Sequence, residues 1–183
     1  MRNSKALALI LLFSILAILI TSLIFVLTDD CVASIAVIND RDYGPAVIRE
    51  LQNADESIHV SMFSLTYYLK YRISFVNSFL TILADKHDAG VDVKIILDEF
   101  PKDHEAGLTY LRERGVPIKY DGKNQTTHTK LIILDGKKVI VGSTNWRYYS
   151  VEKNHEANVL IGSPEVAQEY EEYFEEIWKN GYK

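Results

Sequence analysis

Residues 128–145, HTKLIILDGKKVIVGSTN, constrain this chain more than any other stretch. Two apolar, β-branched runs flank Asp135-Gly136, and Asp-Gly between such runs is a strong short-range hairpin signal. Side chains alternate faces along a strand, so His128 and Lys130 share one face. A two-residue loop at Gly136-Lys137 pairs His128 with Asn145 and Lys130 with Ser143. A loop at Asp135-Gly136 pairs His128 with Ser143 instead. Either register gathers His128, Lys130, Ser143 and Asn145 on one face, and only an odd-length loop separates them. An imidazole, an ammonium, a hydroxyl and an amide on one patch suit a phosphate. Taken singly, the histidine reads as a core or edge residue and the lysine as a solvated strand residue. Asp135 is turn chemistry in any case. The joint spacing gives the patch its weight.

Around this hairpin the pattern alternates strands and helices. Residues 45–54 read as a short helix with Pro45 near its first turn, and residues 57–63 as a strand that places Ile58, Val60 and Met62 on one face. His59 falls on the other face and reads as structural. Residues 67–88 read as one long helix in which Leu69, Ile73, Val76, Phe79, Leu80 and Leu83 recur at helical spacing. Gly90 ends it, and residues 91–98 follow as a strand covered on both faces; Asp98 and Glu99 at its C-terminal end are candidate active-site acids but read rather as loop residues, since no full metal-ligand set accompanies them. A short helix over residues 104–114 and a brief strand over 117–120 lead into the polar loop 121–127. After the hairpin come a strand over 156–162 and a helix that Ser163 caps and Pro164 opens. The order predicts an α/β domain with a mixed sheet flanked by helices.

Residues 6–27 carry no charge and are almost wholly apolar, long enough for the roughly 20 residues that cross a bilayer. They predict one N-terminal transmembrane helix, an uncleaved anchor over residues 1–28, ahead of a single domain over residues 33–183. Arg2 and Lys5 before the run, with Asp29 and Asp30 after it, place the N-terminus in the cytoplasm and the domain outside. Cleavage of the run as a signal peptide would instead release the domain. Cys31 is the single cysteine of the chain, which excludes an internal disulfide framework and any multi-cysteine zinc site. Charge is uneven. Residues 101–153 carry 10 basic and 6 acidic side chains within a chain of net charge −5, so only the segment holding the hairpin favours an anionic ligand.

The spacing His-x-Lys, four residues, Asp, six residues, Gly-Ser-x-Asn resembles the signature of the phospholipase D superfamily. Asn154-His155-Glu156 adds to the likeness, since that family carries an acid at about this distance beyond its histidine. The resemblance covers residues 33–178 and implies a phosphodiesterase. It makes His128 the nucleophile, Lys130, Ser143 and Asn145 the phosphate-binding groups, and Glu156 the group that orients His128; Asp135 belongs to the same catalytic motif. It calls for no metal and no cofactor. Family members use two copies of the motif and this chain has one, which implies a homodimer with both His128 residues in one shared site. Single-motif relatives include bacterial Nuc-type endonucleases and mitochondrial-surface phospholipase D-like proteins. Nucleic acid is therefore the expected substrate, with membrane phospholipid as the alternative, and a catalytically idle, membrane-tethered anion-binding module as the reading from another class.

Overall fold

The computed structural model describes residues 13–16, 33–70, 73–101, 104–122 and 125–183. The chain divides into two compact units, Met1–Val32 and Ala33–Lys183. In the first, residues 13–16 are helical and exposed. The transmembrane helix expected over residues 6–27 is corrected: among the described residues no helix is long and apolar enough to cross a membrane. The rest of that apolar run and Cys31 lie outside the described residues.

In the second unit seven strands form one sheet: β1 Ser34–Val37, β2 Ser57–Met62, β3 Asp92–Leu97, β4 Ile118–Tyr120, β5 Lys130–Leu134, β6 Lys138–Gly142 and β7 Asn158–Gly162. Their order is β1-β7-β6-β5-β2-β3-β4. The β2–β3 and β3–β4 pairs are parallel and the other pairs antiparallel, so the sheet is mixed as expected. The helices are α1 Tyr43–Asn53, α2 Phe75–Asp88, α3 Glu105–Glu113, α4 Tyr148–Glu152 and α5 Pro164–Asn180.

The two faces are covered unequally. Leu51 of α1, Phe79 of α2, Leu111 of α3 and Val151 of α4 share one core with Val60, Ile132 and Ile140 of the sheet. On the other face Ala167 and Phe174 of α5 pack with Ile96, Leu131, Ile133 and Val139. Strand β5 lies in the middle and is buried along its whole length. That is why its sequence is a continuous apolar run rather than an alternating one.

Helix α2 starts later than its periodicity suggests. Ser74 caps it, accepting the Asn77 N–H at 3.1 Å. The Asn77 side chain also holds Tyr68, accepting its N–H and donating to its carbonyl, both at 2.9 Å. These bonds replace a helical turn, so residues 67–70 form a loop. Leu69 and Ile73, which the helical spacing placed in the core, are exposed.

The hairpin register also departs from expectation. Leu134 pairs with Lys138, so three residues connect the strands. Asp135 and Gly136 have φ of 54° and 57°, and the Lys137 N–H donates to the Leu134 carbonyl at 2.9 Å. Two left-handed central residues make a type I′ turn, to which Lys137 adds one residue. The loop is odd in length, and neither even register holds. Carried on, the ladder sets Lys130 opposite Gly142, so strand alternation alone does not gather the four polar residues.

Candidate active site

His128 is exposed just ahead of β5, and Lys130, the first residue of that strand, is buried. The Lys130 Nζ donates to the His128 carbonyl at 2.8 Å and lies 3.2 Å from the imidazole Nδ1. Phe63, just past β2, covers both: its ring centroid is 4.6 Å from that of His128 and 5.1 Å from the ammonium. Antiparallel pairing of β2 with β5 brings Phe63 there, its N–H donating to the Thr129 carbonyl at 2.9 Å. The Ser61 and Thr129 hydroxyls, 2.6 Å apart, close the pair. Burial disfavours the ammonium and lowers the pKa of Lys130 from 10.5, while the charge of Glu156 works in the opposite sense.

Ser143 and Asn145 arrive by a different route. A side chain at Gly142 would overlap the Asn158 side-chain oxygen and the Ala157 carbonyl, so only glycine lets β6 end against β7 there. Asn158, itself buried, donates to the Thr144 hydroxyl at 2.8 Å and accepts the Thr144 N–H at 3.3 Å. Two residues on, the Trp146 N–H donates to the Ser64 carbonyl at 2.9 Å, and its indole N–H to the Tyr43 hydroxyl at 3.0 Å. Asn145 lies between these two clamped residues. Its Oδ1 is buried and, among the described residues, receives no hydrogen bond. Such orphaned groups are uncommon and are a feature of sites that await a ligand. The Ser143 hydroxyl donates to the Glu156 carboxylate, whose charge reaches Lys130. Tertiary clamps, not strand parity, fix the segment that carries Ser143 and Asn145.

Two expected members are placed elsewhere or differently. Asp135 sits at the far end of β5, where it accepts the N–H groups of Asp55, Glu56 and Ser57 at 3.1, 2.7 and 3.0 Å. Burial alone would raise its pKa, but these donors and Lys137 outweigh that and hold it below 3.8. Asp135 fastens the turn to the start of β2. Glu156, expected to orient His128, instead binds Ser143 and the Asn154 amide, the latter at 3.2 Å, and Lys130 occupies the space at Nδ1. His59 lies off the site as expected, stacked on Phe174 with its Nδ1 2.6 Å from Glu171.

The sequence did not single out Phe63, nor Arg147, whose Nε donates to the Ser64 hydroxyl. It also missed the clamp on Thr127, whose N–H is shared by Asp98 and Asp121. Each depends on pairing between distant strands, for which no local pattern exists.

The sequence and the fold have known counterparts. The profile of the family described as cardiolipin synthase, PLD-like domain, matches residues 47–178. A mitochondrial cardiolipin hydrolase of Chlamydomonas reinhardtii is 27% identical over 99 residues, covering 53% of this chain and 44% of that protein. A phospholipase D of Rickettsia typhi is 29% identical over 125 residues, covering 68% of this chain and 57% of that protein. The chain thus spans about half the length of the curated relatives it matches. The crystal structure of the phospholipase D family member Nuc from Salmonella typhimurium superposes with a TM-score of 0.72 at 26% identity, over 82% of this chain and 97% of that one. With the family profile matched across most of the second unit and the His-x-Lys pair seated at the end of the same sheet, this chain belongs to the phospholipase D superfamily.

Proposed function

We propose that the chain is a phosphodiesterase that acts through a phosphohistidine, cleaves nucleic acid without reading its bases, and works as a homodimer. The observation that carries this is the exposed His128 imidazole with the buried Lys130 ammonium 3.2 Å from its Nδ1. An entering phosphate draws Lys130 off the ring, since an ammonium binds a phosphate oxygen better than a neutral nitrogen. The freed imidazole, exposed to water, gives up its Nε2 proton to solvent and takes one on Nδ1, and so presents an unprotonated Nε2 to phosphorus. Attack forms the P–N bond and breaks the bond to the leaving oxygen, which takes a proton from the imidazole of a second copy. That second imidazole then removes a proton from water, which attacks phosphorus and breaks the P–N bond. Lys130, Ser143 and Asn145 stabilise the negative charge that builds on the phosphoryl oxygens. Ammonium, amide and imidazole cover that charge, so the mechanism needs no metal.

Nucleic acid is favoured because residues 101–153, the segment that carries His128 and Lys130, have a net charge of +4, and backbone phosphates are recognised by charge rather than by base edges. Hydrolysis of membrane phospholipid is the second reading, supported by the cardiolipin hydrolases among the relatives and by the exposed Leu69 and Ile73. The purified chain, in excess chelator, is offered single-stranded DNA, duplex DNA, RNA and phospholipid vesicles, with acid-labile phosphohistidine trapped at early times. Cleavage of nucleic acid with a trapped intermediate is the expected result. Turnover of vesicles alone selects the second reading, and strict dependence on a divalent metal overturns the mechanism.

A further inference from the structure

We infer that Asp98 and Asp121 form a proton-sharing pair that holds Thr127, and through it His128, in position; only its catalytic readout rests on the phosphodiesterase reading. The two acids follow the parallel neighbours β3 and β4, so their carboxylates emerge side by side. The Asp121 N–H donates to the Leu97 carbonyl at 3.1 Å, which fixes the two strand ends together. Asp98 is fully buried and Asp121 is 3% exposed.

Both carboxylates converge on one hydrogen. The Thr127 N–H lies 2.9 Å from Asp98 Oδ2 and 2.7 Å from Asp121 Oδ2. Asp98 has one further donor, the Phe100 N–H at 2.8 Å. No described Lys, Arg or His forms an ion pair with either acid. The surrounding groups do not help: Glu99 adjoins Asp98 and accepts the Tyr182 hydroxyl, and Tyr120 precedes Asp121. Glu176 and Tyr173 of α5 face Asp121 across a cavity of about 620 Å³. His128 lies one residue beyond Thr127. Two ionised carboxylates that share one donor, both buried and with no cation paired to them among the described residues, repel each other, and a retained proton relieves that repulsion. Burial pushes Asp121 upward and the charge of Asp98 adds to it, against the hydrogen bonds from Thr127. The geometry makes Thr127 a fixed mount. A nucleophile must be held to within about 0.5 Å, and this mount sits one residue away from it.

The test compares wild type with Asp121→Asn and Asp121→Ala. Unfolding midpoints from pH 3 to 9 are measured alongside kcat and KM on bis(p-nitrophenyl) phosphate. An asparagine donates to the remaining carboxylate as the protonated acid does, and its donor cannot titrate. A shared proton raises the folded-state pKa, so the stability it gives is complete below the ordinary value of 3.8 and is lost as pH rises through the folded value. Relative to Asp121→Asn, the wild-type midpoint therefore falls by several degrees between pH 3 and 9. At pH 6 Asp121→Asn keeps kcat within threefold, and its kcat relative to wild type grows as pH rises. Asp121→Ala loses at least tenfold in kcat with little change in KM. Should the alanine variant not fold, the pH-dependent kcat ratio decides the positioning role, with Asp98→Asn expected to match Asp121→Asn. Parallel unfolding curves for wild type and Asp121→Asn overturn the shared proton, and a pH-independent kcat ratio overturns the positioning. If wild type hydrolyses no phosphodiester, the functional reading fails while the unfolding curves still decide the proton.

Discussion

At its open end the β5–β6 hairpin carries an exposed imidazole beside a buried ammonium; at its closed end a carboxylate gathers the N–H groups of three successive residues. Both ends belong to one short motif, and both hold charge in partly or fully buried positions. Their solvation differs. Asp135 is supplied with donors and stays ionised comfortably, whereas Lys130 is buried against a ring and a carbonyl and its charge is disfavoured. A charge that the fold satisfies stabilises the fold. A charge left in want of a partner is one that a substrate phosphate can complete.

The comparison breaks most sharply at the open end. His128→Asn removes the nucleophile, and turnover falls by about 10³-fold or more while the unfolding midpoint stays within 2–3 °C or so of wild type. Undiminished phosphodiester hydrolysis by that variant contradicts the scheme.

Lys130→Met also loses activity, by about 10²-fold or more. Its stability moves the other way. The lowered pKa means that the folded state resists the charge, so stability is greatest above pH 10.5 and declines as pH falls through the folded value. At pH 7 the methionine variant is therefore at least as stable as wild type, as thermal unfolding will show. A marked drop in midpoint means that Lys130 holds the fold together after all.

At the closed end Asp135→Ala costs roughly 2 kcal/mol, because three backbone donors lose their acceptor. Its kcat stays within twofold or so. A depressed carboxylate gives its stability in full above its ordinary value of 3.8 and loses it as pH falls through the folded value. The gap between variant and wild type, read in denaturant titrations, narrows accordingly at acid pH. A tenfold loss in kcat with stability preserved assigns Asp135 to the chemistry instead.

The smallest effect is expected at Glu156. It binds Ser143 and supports the charge of Lys130 but does not touch His128, so Glu156→Gln lowers kcat by less than about tenfold. A loss of about 10²-fold or more, with a shifted pH profile, restores the orienting role that its place in the sequence suggested.

Much of the scaffold was legible beforehand because burial imprints itself on composition. Strand β5 is apolar without interruption because both its faces are covered, and Ser163-Pro164 marks the start of α5 through capping chemistry confined to neighbouring residues. Residues 67–73 misled for the opposite reason. Their helical spacing is real, but Asn77 and Ser74 satisfy the backbone locally and turn Leu69 and Ile73 outward.

The order of the strands and helices apart from β1 and the short α4, the turn at Asp135-Gly136 and the placing of His128 beside Lys130 were determined by the sequence alone, because each follows from alternation or from the conformational preference of adjacent residues. Tertiary structure decided the rest of the site. One added residue at Lys137 changes the parity of the hairpin, which no composition reveals, and alternation then no longer brings Ser143 and Asn145 round. Contacts between distant strands fix these segments instead: Asn158 on Thr144, Ser64 on Trp146, and Phe63 over His128. Such contacts are set by which strands lie side by side, a property of the whole sheet that leaves no periodic trace in any one segment.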